Sequence, residues 1–163
     1  MQVVSNTSPI SNLAIIGRLE LLKARYGTVL IPPEVRLELD RLTHLQAKET
    51  IELALNQGWL VTTAKPGEPK DFSARFDLDI GELEAIKLAF QLKADVPLMD
   101  EKRGRSVARD LGIAVAGILG ELLHAKIKGL IPAVRPEFER LRREAGFFIH
   151  IELERFLLSQ VGE

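Results

Sequence analysis

Short apolar runs alternate along this chain with longer stretches in which apolar residues recur every three or four positions. Gln2-Val3-Val4-Ser5 is the first run and reads as a strand. It stops at Asn6-Thr7-Ser8-Pro9, which suits a strand-to-helix turn with Thr7 or Ser8 capping and Pro9 at the first helical position. Ile10, Leu13, Ala14, Arg18 and Leu21 follow at helical spacing. Thr28-Val29-Leu30-Ile31 is a second strand, and Pro32-Pro33 ends it and opens a helix from Glu34 to about Leu42. A further helix runs from Lys48 to Leu55, Gly58 closes it, and Trp59-Leu60-Val61-Thr62 is a third strand. Residues 64–76 hold two prolines, a glycine and several charges, and predict a mobile loop.

Asp79-Ile80-Gly81-Glu82 opens a helix with Ala85, Ile86, Ala89 and Phe90 on its inner face. Val96-Pro97-Leu98-Met99 is a fourth strand, Arg103 to Leu111 a helix, and Ile113-Ala114-Val115-Ala116 a fifth strand. Gly117 to Lys128 is helical, and two more helices follow around 136–144 and 151–158. The strands are continuous apolar runs rather than polar–apolar alternations. That pattern predicts an α/β fold whose parallel sheet of about five strands is buried on both faces by helices.

The chain has 163 residues, the size of one domain, expected to span 1–163 with the C-terminal helices beginning near 135. Hydrophobic residues make up 46% and charged residues 28%, which excludes a disordered chain or a coiled-coil rod. The absence of cysteine excludes a disulfide framework, a thiolate zinc site and a thiol nucleophile. No run approaches the roughly 20 apolar residues of a membrane span. The N-terminus does not read as a signal peptide, so a cytoplasmic location is expected. Net charge is −1, so contact with nucleic acid would rely on a local patch rather than on bulk charge.

Ligands of open parallel sheets bind at the carboxyl ends of the strands. Asn6, Thr7 and Ser8 follow the first strand, Glu34 and Glu38 lie one helical turn apart after the second, and Asp100 and Glu101 follow the fourth. Glu82 stands in the first turn of the helix leading to that strand. Each acid alone could serve only a helix terminus. Gathered at one edge they would repel one another unless a cation sat among them, and an all-oxygen donor set selects Mg²⁺ or Mn²⁺. Glu82 and Glu84 point roughly 200° apart on a helix. Glu82 is expected toward the sheet edge and Glu84 toward solvent. His44, His124 and His150 fit no metal-ligand spacing, and Gly117–Glu121 lacks the lysine of a phosphate-binding loop.

The segments VVSNTSPISNLAIIGRLELL, VLIPPEVRLEL, DLDIGELEAIKLA, PLMDEKRGRSVARDLGI and VAGILGELLHAKIKGLI resemble, in order, those of the PIN domain family. The likeness is closest to small prokaryotic members related to the ribonuclease toxins of type II toxin–antitoxin pairs. It implies a three-layer α/β/α fold and a metal-dependent endoribonuclease using Mg²⁺ or Mn²⁺ on RNA, with an antitoxin protein and a second copy of the chain as partners. The family's acids fall on Glu38, Glu82 and Asp100, with Glu101 where a second acid is common. The first position, an aspartate in the family, is Asn6. An amide offers a metal its carbonyl oxygen but no charge. Thr7 and Ser8 are candidates for holding phosphate or a metal-bound water, and Arg103 and Arg105 for backbone phosphates. The competing expectation is a PIN fold that binds nucleic acid or protein without cutting, because of Asn6. A phosphoacceptor receiver fits poorly, since Thr62-Thr63-Ala64 stands where its aspartate belongs. Ile149, Leu153, Phe156 and Leu157 form an apolar stripe that would suit a homodimer contact.

Overall fold

A computed structural model describes residues 1–69 and 77–163. Four parallel strands, β1 (Val3–Ser5), β2 (Val29–Ile31), β3 (Leu60–Thr62) and β4 (Val96–Leu98), form one sheet in the order β3-β2-β1-β4. Val4 pairs with Leu30 on one side and Pro97 on the other, so β1 is interior and β4 is its neighbour. Nine helices among the described residues flank the sheet. They are α1 (Thr7–Ile15), α2 (Glu20–Tyr26), α3 (Pro33–Asp40), α4 (Leu45–Asn56), α5 (Ile80–Leu92), α6 (Lys102–Asp110), α7 (Ile118–Ile127), α8 (Arg135–Ala145) and α9 (Ile151–Ser159). The arrangement is the expected α/β one. Every strand ends at the same edge, so the residues just after β1, β2 and β4 converge there.

The fifth strand is not formed. Residues 113–116 touch the sheet only through a bridge between Leu98 and Ala116, where Ala116 N–H donates to Pro97 O (3.0 Å) and Met99 N–H to Ala116 O (2.9 Å). The reason lies in β4. The carbonyl of Leu98 faces β1, where it accepts Asn6 N–H, so residue 97 faces the outer edge. Position 97 is a proline with no N–H to continue a ladder. The single helix expected from Ile10 to Leu21 is also divided. Gly17, at φ 68°, takes the left-handed conformation that favours glycine and turns the chain between α1 and α2. The expected loop 64–76 lies partly outside the described residues. Of the rest, Gly67 N–H donates to Gln91 Oε1 (3.0 Å), and Glu68 pairs with Lys87.

The core is continuous from the strands (Val3, Val4, Ile31, Leu60, Leu98) into the helices (Leu13, Ile86, Leu122, Phe138). The apolar stripe of α9 is split. Ile149 packs on the body of the protein with Leu158, whereas Leu153 and Phe156 remain 44% and 60% exposed. Among the described residues no helix is long and apolar enough to cross a membrane.

Phe138 is fully buried, and its helix is tied to the body by Arg18 on Glu137 (2.7 Å). Replacing it with alanine should cost about 3–5 kcal/mol, read as a lower urea midpoint. A loss below about 1 kcal/mol would mean that α8 is not part of the folding unit.

Candidate active site

The acidic edge begins at the turn from β1 into α1. The helix starts earlier than expected: Asn6 stands at the N-cap position, Thr7 is already helical, and Pro9 is in the first turn rather than at its head. Asn6 makes no capping bond. Its side chain crosses to the end of β4, where Nδ2 donates to Glu101 Oε2 (2.9 Å). Nor does Thr7 cap. Its hydroxyl donates to Glu38 Oε2, which reaches over from α3. The other oxygen of Glu38 accepts Gly81 N–H (3.2 Å) at the start of α5. Ser8 instead turns into its own helix, accepting from Asn12 Nδ2 (3.2 Å).

Glu82 is buried, as its helical phase predicts, and accepts Asp79 N–H (3.3 Å) at the head of its own helix. Asp100 serves α7 rather than the helix that follows it in sequence: its Oδ1 accepts Ile118 N–H (2.9 Å). Three glycines let the backbone come close to these acids. A Cβ at Gly81 would stand 2.7 Å from Glu38 Cδ, one at Gly104 2.9 Å from Glu82 Oε1, and one at Gly117 2.8 Å from Asp100 Oδ1.

The electrostatics are those of carboxylates crowded away from water. Burial pushes Asp100 up to about 7, against the hydrogen bond from Ile118, and the Glu101 charge adds to the rise. Glu82 is also raised, first by burial and then by Glu101, Asp79 and Glu38 around it. Among the described residues, Asn6 Oδ1, Glu82 Oε1 and Asp100 Oδ2 are buried oxygens without a hydrogen-bond partner. Unsatisfied buried acceptors are uncommon and point to an ion or water. Mg²⁺ or Mn²⁺ fits this all-oxygen donor set and its partnerless atoms. The side chains as they stand, among the described residues, do not draw three acids together into one coordination shell. Binding a cation would therefore require carboxylates to leave their present partners.

One expectation needs correction. Glu84 is not solvated but buried at 7% exposure, with Oε2 accepting Glu34 N–H (3.1 Å) at the head of α3. Arg103, expected among the phosphate contacts, pairs at the surface with Asp77 and is not among the residues lining the groove beside Asp100. That groove has a volume of about 730 Å³. Lys102, Arg105 and Arg109 line one side of it, and Leu119, Phe148 and Leu153 are among its apolar lining. Of these cations only Arg105 stands out in the sequence as a candidate phosphate contact. Their spacing of three and then four residues, one helical face, was the available signal. Two histidines also have structural work: the Nδ1 atoms of His44 and His150 accept Ala47 N–H (3.1 Å) and Glu152 N–H (3.3 Å) at helix starts.

The raised value of Asp100 gives a signed pH effect. A carboxyl at about 7 in the folded state and about 4 unfolded holds its proton more tightly when folded. Its contribution to stability is full below about pH 4 and is lost as pH rises toward 7. Asp100→Asn, a neutral stand-in, should raise the metal-free melting temperature by several degrees at pH 8 and change it little at pH 4. Equal shifts at both values would contradict the assignment.

The comparisons with known proteins agree with this architecture. No curated protein matches the sequence significantly. Among solved structures, a PilT N-terminus domain protein from the hyperthermophilic archaeon Sulfolobus solfataricus P2 is 22% identical. The alignment covers 74% of this chain and 90% of that one, with a TM-score of 0.52, a likeness of fold. A family model described as PIN domain matches residues 2–163. With that match running across the sheet, the acidic edge and the C-terminal helices, the chain belongs to the PIN domain family.

Proposed function

We propose that the acidic edge holds a divalent cation, Mg²⁺ or Mn²⁺, and that the protein is an endoribonuclease acting on RNA, the toxin of a toxin–antitoxin pair. The observation that carries this reading is the set of partnerless buried oxygens on Asn6, Glu82 and Asp100 at one edge of a PIN fold. Glu38, Glu82, Asp100 and the Asn6 carbonyl oxygen are the ligands in this reading, with Glu101 beside them. When bound, the cation would acidify a water and offset charge developing on the leaving oxygen.

The chain's own residues have separable tasks. Glu38 would hold the cation by exchanging its bonds to Thr7 and Gly81, and the Thr7 hydroxyl and the Gly81 N–H would then be available to donate to a phosphate oxygen. Lys102, Arg105 and Arg109 hold backbone phosphates along the groove, and the exposed ring of Phe148 (83%) offers a face for an unpaired base. Asp100 must lose its proton to serve as a ligand, so cation binding releases a proton near neutral pH. The exposed Leu153 and Phe156 provide the apolar surface for a second copy of the chain, and an antitoxin protein is the other partner in this reading.

One observation favours a second reading, a PIN fold that binds without cutting. Asn6 donates its amide to Glu101, which ties up a carboxylate oxygen and supplies no charge of its own. A carboxylate at position 6 would repel Glu101 in the free protein but bind a dication far more strongly than an amide dipole does.

The test is RNA cleavage with Mn²⁺ or Mg²⁺ by the unaltered protein and by Asn6→Asp. The substitution should raise cleavage roughly ten- to a hundredfold and lower the melting temperature in chelator, while Asp100→Ala abolishes activity. If neither form cuts any RNA with either metal, the nuclease reading gives way to the binding one.

A further inference from the structure

Glu84 has no task in the reaction proposed above, yet it is a buried carboxylate one helical turn from the site. Among the described residues its one hydrogen bond accounts for that burial. Helix α3 begins poorly: Pro32 at the N-cap position has no side-chain oxygen, and Pro33 has no N–H. Glu34 N–H is the first donor of that helix, and it goes to Glu84 Oε2 (3.1 Å). Four residues on, α3 carries Glu38, and Glu38 Oε1 accepts Gly81 N–H (3.2 Å), the second residue of α5. Three residues after Gly81, α5 carries Glu84. Each helix therefore lends a glutamate to the exposed N–H groups at the head of the other. Both bonds are charge-assisted, and both carboxylates lie against the positive end of a helix dipole.

We infer that Glu84 is the positioning residue for Glu38, fixing the head of α3 on α5 so that Glu38 is presented beside Glu82 at the acidic edge. The inference rests on the cation reading for its purpose, but the clamp itself exists without a metal. Its asymmetry matters. Glu38 must be able to exchange Gly81 and Thr7 for a cation, whereas Glu84 lies on the far side of the exchange and keeps its bond throughout. Glu84 thus holds the helix while Glu38 moves. Lys65 Nζ, 3.9 Å from Glu84 Oε1 and largely exposed, adds little to this. Glutamine at position 84 could still accept Glu34 N–H, alanine could not, and aspartate would fall one methylene short.

The test has a metal-free arm and a metal arm. In the metal-free protein, amide exchange of Gly81 reports whether Glu38 is in place, since an N–H at the second helical position has no partner within its own helix. Glu84→Ala should speed Gly81 exchange at least about tenfold and Glu84→Gln should leave it nearly unchanged. In calorimetry with Mn²⁺ alone, Glu84→Ala should weaken binding about tenfold, Glu84→Gln should restore most of it, and Glu84→Ala added to Glu38→Ala should cause no further loss. If the alanine variant does not fold, Glu84→Asp replaces it in both arms with the same expectations. Unchanged Gly81 exchange overturns the inference whatever the metal arm gives. So does an equal loss of Mn²⁺ affinity with and without Glu38. Faster Gly81 exchange in a protein that binds no Mn²⁺ supports the clamp and counts against the cation reading, so the two failures are distinguishable.

Discussion

Carboxylates taken out of water need positive partners, and at the acidic edge this fold supplies them from the heads of its helices. Glu38 takes a backbone N–H at the start of α5, Glu82 the N–H of the residue capping that helix, Asp100 the first N–H of α7 and Glu84 the first of α3. A parallel sheet makes this possible, because each crossover returns a helix start to the edge where the strands end. Helix N-termini carry partial positive charge and free donors, but less than a cation would offer. The compensation is therefore incomplete. Asp100 and Glu82 keep raised affinities for protons, and at this edge three buried oxygens, on Asn6, Glu82 and Asp100, find no hydrogen-bond partner among the described residues.

The same constraint shapes the neighbouring sequence. Gly81, Gly104 and Gly117 stand where any side chain would press on Glu38, Glu82 or Asp100. Asn6 eases the crowding by donating to Glu101 instead of adding another negative charge. The energetic opposition is direct: what quiets the metal-free site also weakens its attraction for a dication. Away from the edge, carboxylates behave conventionally. Glu121, buried at 3%, meets Arg25 (2.9 Å) and the Tyr26 hydroxyl (2.7 Å), whose pKa is raised first by burial and then by that hydrogen bond.

Much of this was legible in the order of apolar runs. β1, β2, β3 and β4 appear where Val3-Val4, Val29–Ile31, Leu60-Val61 and Val96–Leu98 put them, and Glu82 faces inward as its phase requires. The failures have local causes. The run Ile113–Ala116 has strand composition, but its pairing depends on a donor that Pro97 lacks, and that is a property of a partner distant in sequence. Glu84 sits on the helix face that periodicity assigns to solvent, and only the arrival of the proline-headed α3 makes that face an interior. Asn6 and Thr7 look like capping residues because caps are local; their actual partners, Glu101 and Glu38, are 95 and 31 residues away. Tertiary hydrogen bonds of this kind leave no periodic trace.

The central claim, that one dication is held among Asn6, Glu38, Glu82 and Asp100, can be tested directly by paramagnetic broadening of backbone amides on titration with Mn²⁺. Gly81, Gly104 and Gly117 frame the acids, while Gly129, Gly146 and Gly162 lie in the C-terminal third of the chain outside the acidic edge. Selective loss of the first three signals at substoichiometric Mn²⁺, reversed by excess chelator and with the other three unchanged, is the expected result. Uniform broadening of all six, or intact signals at Gly81, Gly104 and Gly117 in millimolar Mn²⁺, would contradict it.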